Sequence, residues 1–229
     1  MKGEGVKGVF VTGIDTGVGK TLFTCALLHA YAQRGLRAVG MKPVAAGATV
    51  ENGVLVNEDV IAMRAAGNVD ATLDLVNPYC FEPPIAPHIA AAQKGVTIDL
   101  ERIASAYAGL AALADRVVVE GAGGFRVPLG PGVDTADLAR RLALPVVIVV
   151  GMRLGCLNHA LLTADAVRAS GLHLAGWVAS HVDADMMYAE DNVEALKTRL
   201  RAPLVARIPH TRTPEPASIA HYVDSTRIV

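Results

Sequence analysis

Four stretches of the chain hold residue types able to do chemistry on phosphate. In Val9–Thr21, VFVTGIDTGVGKT, an apolar run enters a turn in which Gly17, Val18 and Gly19 lead to Lys20 and Thr21. Backbone N–H groups of such a turn converge on phosphate oxygens, and the helix start behind it adds partial positive charge. Lys20 supplies a full charge, and the Thr21 hydroxyl can ligate Mg²⁺. Lys42, in Met41-Lys42-Pro43, ends the second apolar run. Asp59 follows Asn57, and Glu120 closes RVVVE just before Gly121-Ala122-Gly123-Gly124. An acid at the end of a buried β-branched strand, ahead of glycines that admit a ligand, is the metal-binding half expected of a phosphate-loop nucleotidase. The implied ligand is a nucleoside triphosphate.

Each of these residues also has a plainer reading. Gly13 and Gly19 enclose five residues where the common loop has four, and glycine-rich turns also occur by chance. A lysine at a strand end is often just solvated. An acid in a first helical turn complements the helix dipole, and His88 reads as a packing or capping residue. The setting favours chemistry for the loop and Glu120, since a strand precedes the loop and a helix follows it.

The elements that would position these residues alternate. Strand and loop give way to a helix over Leu22–Gln33, then to a buried strand over Leu36–Met41 that brings Lys42 to the strand's C-terminal edge, where open α/β sheets bind ligands. Ala45–Val56 reads as a mobile surface loop. Asn57 caps a short helix over Glu58–Ala66, Asn77–His88 is a proline-rich ordered loop, and Ile89–Gln93 is a short helix. Asp99 caps a helix reaching Ala114, Arg116–Glu120 is a strand, and Asp134-Thr135 opens a helix to Leu142. Pro145–Val150 is a fourth parallel strand, and Gly155 precedes a helix from Cys156 to Ser170 whose N-terminal amides form a second anion site. A strand ending in Trp177–Ser180, a helix over Ala184–Leu200, a last strand at Leu204–Ile208 and an irregular tail from Pro209 complete the pattern. Strands alternating with helices predict a phosphate-loop α/β fold with a doubly wound, mainly parallel sheet and helices on both faces.

Composition narrows the partners. With 229 residues the chain suits one α/β domain spanning 1–229. A net charge of −1, from 21 basic and 22 acidic residues, leaves no footprint for nucleic acid or an anionic membrane. The longest apolar run, Leu142–Met152, is too short to span a bilayer. The N-terminal MKGEGVKGVF does not read as a secretory signal. Cys25, Cys80 and Cys156 form no CxxC pair, which fits a reducing cytoplasm.

Several motifs together resemble the dethiobiotin synthetases of biotin biosynthesis: VTGIDTGVGKT at Val11–Thr21, MKPVAAG at Met41–Gly47, VNPYCFEPPIAPH at Val76–His88, VEGAGG at Val119–Gly124, GCLNHALLT at Gly155–Thr163 and AGWVAS at Ala175–Ser180. They stand in the family's order and cover the chain nearly end to end. The family's phosphate loop carries the same extra residue. The resemblance implies an ATP- and Mg²⁺-dependent ligase that closes 7,8-diaminopelargonate and CO₂ into dethiobiotin, through a carbamate and a carbamic-phosphoric anhydride. It gives Lys20, Lys42 and Thr16 the catalytic roles and Thr21, Asp59 and Glu120 the metal. Gly17–Thr21 and Glu120 would bind the nucleotide, with Ser180, Pro209 and His210 at its base. Thr16, Lys42, Ala46 and Gly123 would contact the diamine. The family is a homodimer, so Gly155, Cys156, Leu157 and Asn158 of a second subunit would bind the pelargonate carboxylate.

Two positions depart from the pattern. Ala46 stands where well-known members have Ser, removing a hydroxyl contact to the diamine. Ser180 stands where others have Asn, and one hydroxyl cannot make the same bidentate contact to a base. The rival readings are a cobyrinic acid-type amide ligase and a dimeric nucleotide-switch ATPase. The first normally carries a glutaminase domain, for which there is no room. The second needs a lysine early in the loop, where Asp15 stands.

Overall fold

A computed structural model describes residues 8–228; the N-terminal segment discussed above lies, through Lys7, outside them. Strand β1 (Gly8–Gly13) is wholly buried and runs through the turn into α1 (Lys20–Gln33). Strand β2 (Ala38–Met41) follows, then β3 (Val44–Ala46) and a hairpin of β4 (Thr49–Glu51) and β5 (Val54–Val56). Helix α2 (Glu58–Ala66), the single turn α3 (Leu73–Val76), strand β6 (Tyr79–Phe81), α4 (Pro87–Gln93) and α5 (Leu100–Leu113) lead to β7 (Arg116–Glu120). A second hairpin, β8 (Pro128–Gly130) and β9 (Val133–Asp134), precedes α6 (Thr135–Leu142), β10 (Val146–Gly151) and α7 (Cys156–Ala169). The chain ends through β11 (Leu174–Ser180), α8 (Ala189–Leu200), β12 (Leu204–Ile208) and the short α9 (Pro216–Ile219).

Six strands form one parallel sheet in the order β12-β11-β10-β1-β7-β2. The period-two alternation of strand side chains divides the core in two. Phe10, Val117, Val119, Ile148 and Trp177 face α5 to α8. Val9, Val11, Val118, Val149 and Val178 face α1, Met63 of α2, and α9. Both faces are therefore covered, as all-parallel sheets require, and the strands read as continuous apolar runs for that reason. Parallel pairing brings the ends of β1, β2 and β7 to one edge, so Lys20, Lys42 and Glu120 meet there although up to 100 residues separate them in sequence.

Several boundaries differ from the sequence reading: α1 starts at Lys20, and the proline-rich segment Asn77–His88 holds β6 and the start of α4 at Pro87. Ala45–Val56 is not an irregular loop. It holds β3, which pairs with β6, and the β4–β5 ribbon, turned at Asn52 (φ 51°) and Gly53 (φ 80°). Two positive φ angles at Asn-Gly make a tight hairpin turn whose twist matches its strands. Helix α8 starts at Ala189, not Ala184, because Asp183 Oδ1 accepts from Asp185 N at 3.0 Å and holds a local turn. The second strand starts at Ala38. After Pro209 the irregular tail turns back, and Val223 bridges Ala206 at the sheet edge.

Candidate functional site

The loop between β1 and α1 is built for a close approach to an anion. Gly17 (φ 71°) and Gly19 (φ 86°) take left-handed conformations that bend the backbone around a concavity. Helix α1 begins directly behind it, and Gly19 offers no side-chain cap, so the first amides of α1 remain available. Thr16 and Gly17 are exposed at the rim, while Val18 is buried beneath. The turn after β7 is tied to the loop: Gly13 N donates to Gly123 O at 3.3 Å, and a Cβ on Gly123 would lie 3.5 Å from Thr16 Oγ1.

The structure brings Thr16, Gly17, Gly19, Lys20, Thr21 and Lys42 to one cleft of ≈ 740 Å³. Ala46, Asp59 and Gly123 share its lining, along with the proline-rich segment at Pro84–Pro87. At its floor is an ionic cluster. Lys42 Nζ donates to Asp59 Oδ2 at 2.8 Å and to Glu120 Oε1 at 2.6 Å. Thr21 Oγ1 stands 2.8 Å from Asp59 Oδ1 and 3.0 Å from Glu120 Oε1. Asp59 is held in place by the α2 cap, in which Asn57 Oδ1 accepts from Asp59 N at 3.1 Å. Lys42 is fixed through its backbone: its N–H donates to Val76 O, and Asn77 Nδ2 donates to its carbonyl at 2.6 Å.

Burial and charge oppose each other here. Burial lowers the affinity of Lys42 for its proton, but Glu120 and Asp59 outweigh it, and the ammonium is held above its ordinary pKa. Burial raises Asp59, yet Lys42 and the hydrogen bonds from Lys42 and Thr21 hold it below the ordinary carboxylate value. Lys20 has weaker compensation. Burial, aided by the Lys42 charge, brings it down to about 8, and its Nζ donates to the Asp15 carbonyl at 2.9 Å. An incoming polyanion would supply the charge partner Lys20 lacks.

The donor set suits Mg²⁺. Thr21, Asp59 and Glu120 offer hard oxygens, and Glu120 Oε2 is buried with no hydrogen-bond partner. Among the described residues no group of three or more His, Cys, Asp or Glu could hold a metal. Two carboxylates and a hydroxyl match Mg²⁺, which keeps waters and substrate phosphates in its shell instead of an all-protein cage.

The remaining expected residues lie apart from that cleft. Pro209 and His210 line a separate cavity of ≈ 520 Å³ with His181, Arg207 and Tyr222. Ser180 lines neither cavity; it is buried and abuts the phosphate loop, since a Cβ on Gly19 would come 2.6 Å from its Oγ. Gly155 (φ 94°) precedes α7 as expected, with Cys156 buried, Leu157 half-buried and Asn158 exposed. Leu154 beside them is 98% exposed. Sequence reasoning missed Arg153, which pairs with Asp15 at 2.5 Å, and Asn77. Only a buried polar residue amid VNPYCF could have signalled Asn77; nothing local pairs Arg153 with Asp15.

Parallel sheet, strand-loop-helix and carboxylate at the end of β7 define a phosphate-loop NTPase. The family model described as "AAA domain" matches residues 7–218. Solved structures share the fold at low identity. The MinC:MinD cell division complex of Aquifex aeolicus is 17% identical with a TM-score of 0.54, covering 90% of this chain and 82% of that one. A ParA family ATPase from Chlorobium tepidum is 14% identical with a TM-score of 0.56, covering 90% and 86%. Two relatives are far closer. The ATP-dependent dethiobiotin synthetase BioD of Aromatoleum aromaticum is 56% identical over 211 residues, 92% of this chain and 94% of that protein. Its counterpart in a Janthinobacterium species is 54% identical over 219 residues, 94% and 93% respectively. The chain belongs to the dethiobiotin synthetase family and is a ligase that forms C–N bonds.

Proposed function

We propose that this protein makes dethiobiotin from 7,8-diaminopelargonate, CO₂ and ATP, releasing ADP and phosphate. The observation that carries the reading is the cluster of Lys42, Asp59, Glu120 and Thr21 at the floor of the loop cleft, in a chain of this family. One amine of the diamine takes up CO₂ as a carbamate. A carbamate oxygen attacks the γ-phosphorus and ADP leaves; the neighbouring amine then attacks the carbonyl carbon, closing the ring and expelling phosphate. Such phosphoryl transfer needs positioning and charge neutralisation more than a protein nucleophile.

The roles follow from position. Gly17–Gly19 amides and Lys20 bind the β- and γ-phosphates, Lys42 and Thr16 hold the carbamate against the phosphoryl group, and Gly123 and Ala46 bound the diamine. Thr21, Asp59 and Glu120 would hold Mg²⁺, which would supply positive charge to neutralise the phosphates. Pro209 and His210 bound the base, with Ser180 supporting the loop beneath it. The molecule acts as one domain over residues 1–229 and as a cytoplasmic homodimer. Exposed Leu154, next to the α7 start at Gly155–Asn158, supports a second subunit seated there, where the helix amides would receive the pelargonate carboxylate. Among the described residues no helix is long and apolar enough to cross a membrane.

The test is coupled phosphate release. We expect it only when diaminopelargonate, bicarbonate, Mg²⁺ and nucleotide are all present; release indifferent to the diamine would refute the synthetase reading in favour of a switch ATPase. Running the assay with ATP, CTP and GTP reads out the base preference.

A further inference from the structure

Three of the four oxygens of the carboxylate pair already have partners. Lys42 holds Asp59 Oδ2 and Glu120 Oε1, and Thr21 holds Asp59 Oδ1 and shares Glu120 Oε1. The fourth, Glu120 Oε2, is buried with none. Lys42 is 5% exposed and Glu120 0%, so little water screens the pair. An ammonium and a hard divalent ion seek the same lone pairs, and two cations a few ångströms apart beside buried Glu120 repel. The Lys42 backbone is pinned by Val76 and Asn77, but its side chain also borders the cleft beside Thr16, Lys20 and Gly123. The stem can turn without moving the strand.

We propose that Lys42 and the divalent cation are alternative partners of Asp59 and Glu120, so that metal entry turns the Lys42 ammonium out of the carboxylates and into the cleft. This rests on the metal reading above and adds an order to it. Lys42 reaches the transferring phosphoryl group only in a metal-loaded site, which ties the two positive charges of the reaction to one event. It also explains why a strand-end lysine is buried against two acids in a site meant for polyanions.

Two measurements test it. Mn²⁺ titration without nucleotide, followed by electron paramagnetic resonance, should show Lys42→Gln binding Mn²⁺ at least about tenfold more tightly than the wild type, because removing the ammonium leaves buried Glu120 and half-buried Asp59 uncompensated. In the unmodified protein, brief acetylation with acetic anhydride read by mass spectrometry should show Lys42 labelling rise with Mg²⁺, while labelling of exposed Lys94 stays constant. Unchanged Mn²⁺ affinity in a folded Lys42→Gln protein, or Lys42 labelling indifferent to Mg²⁺, overturns the exchange; the labelling decides alone if the variant does not fold. The metal reading is judged separately, from the bound Mn²⁺ signal of the wild type with ADP and its loss in Asp59→Asn.

Discussion

Gly19→Ala tests how the phosphate loop is supported. Gly19 sits at φ 86°, ψ 25°, and a Cβ there would lie 2.6 Å from Ser180 Oγ but 3.6 Å from Ser180 Cβ. The substitution therefore has two separable costs. The left-handed backbone costs a residue with a Cβ about 1 to 2 kcal/mol. Forcing the methyl against the Ser180 hydroxyl adds overpacking of about 1 to 3 kcal/mol. Ser180→Ala removes only the second cost, since 3.6 Å is an ordinary contact. Urea denaturation of the wild type, both single variants and the double variant should then give a loss of about 2 to 5 kcal/mol for Gly19→Ala. The double variant should recover about 1 to 3 kcal/mol relative to the sum of the singles. ATP affinity, measured by calorimetry, should recover with it. Additivity within about 0.5 kcal/mol would refute the contact.

Three further outcomes are expected. Asn57→Ala removes the cap that positions Asp59 and should lower stability by about 0.5 to 2 kcal/mol in a denaturant melt; no change would mean the cap is not formed. Burial pushes the Tyr31 hydroxyl to about 12, so its contribution to stability is complete below pH 10 and is lost as pH rises toward 12. Urea melts across that window should decline, and Tyr31→Phe should remove part of the decline. With Cys25 and Cys156 each 1% exposed and burial pushing Cys25 to about 12, a thiol reagent such as dithionitrobenzoate should reach only half-buried Cys80 in the native protein, and all three cysteines after unfolding. Rapid native labelling of all three would contradict this packing.

The sheet was legible because each parallel strand is buried on two faces and so appears as an unbroken β-branched run, such as Val146–Val150. Caps at Asn57, Asp99 and Asp134 marked three helix starts correctly, since each side chain accepts a hydrogen bond from its own first turn. The β4–β5 ribbon was missed although Asn52-Gly53 is a strong hairpin signal, because its strands are three residues long and too exposed to alternate clearly. Spacing alone left Lys42 and Asp59 looking like surface residues. The register of β2 beside β7 places Met41 opposite Val119 and so sets Lys42 beside Glu120, while α2 brings Asp59 to the same ammonium. Such a contact between residues 78 apart has no local trace in the sequence.

The extra residue of the phosphate loop acquires a physical reason in the same way. Asp15 binds in three directions: Oδ1 accepts from Thr16 N at 2.7 Å, its carbonyl accepts from Lys20 Nζ, and Oδ2 pairs with Arg153 in the turn before α7. The first bond turns the backbone so that Thr16 stands at the cleft mouth, opposite Gly123. The second gives the Lys20 ammonium an acceptor that a phosphate oxygen can replace at little cost, since a neutral carbonyl is a weaker partner than an anion. The third links the phosphate loop to the turn that precedes α7 at Gly155. Thus Asp15, one of the five residues between Gly13 and Gly19, also connects the phosphate loop to the start of α7, and Asp15→Ala should loosen both together.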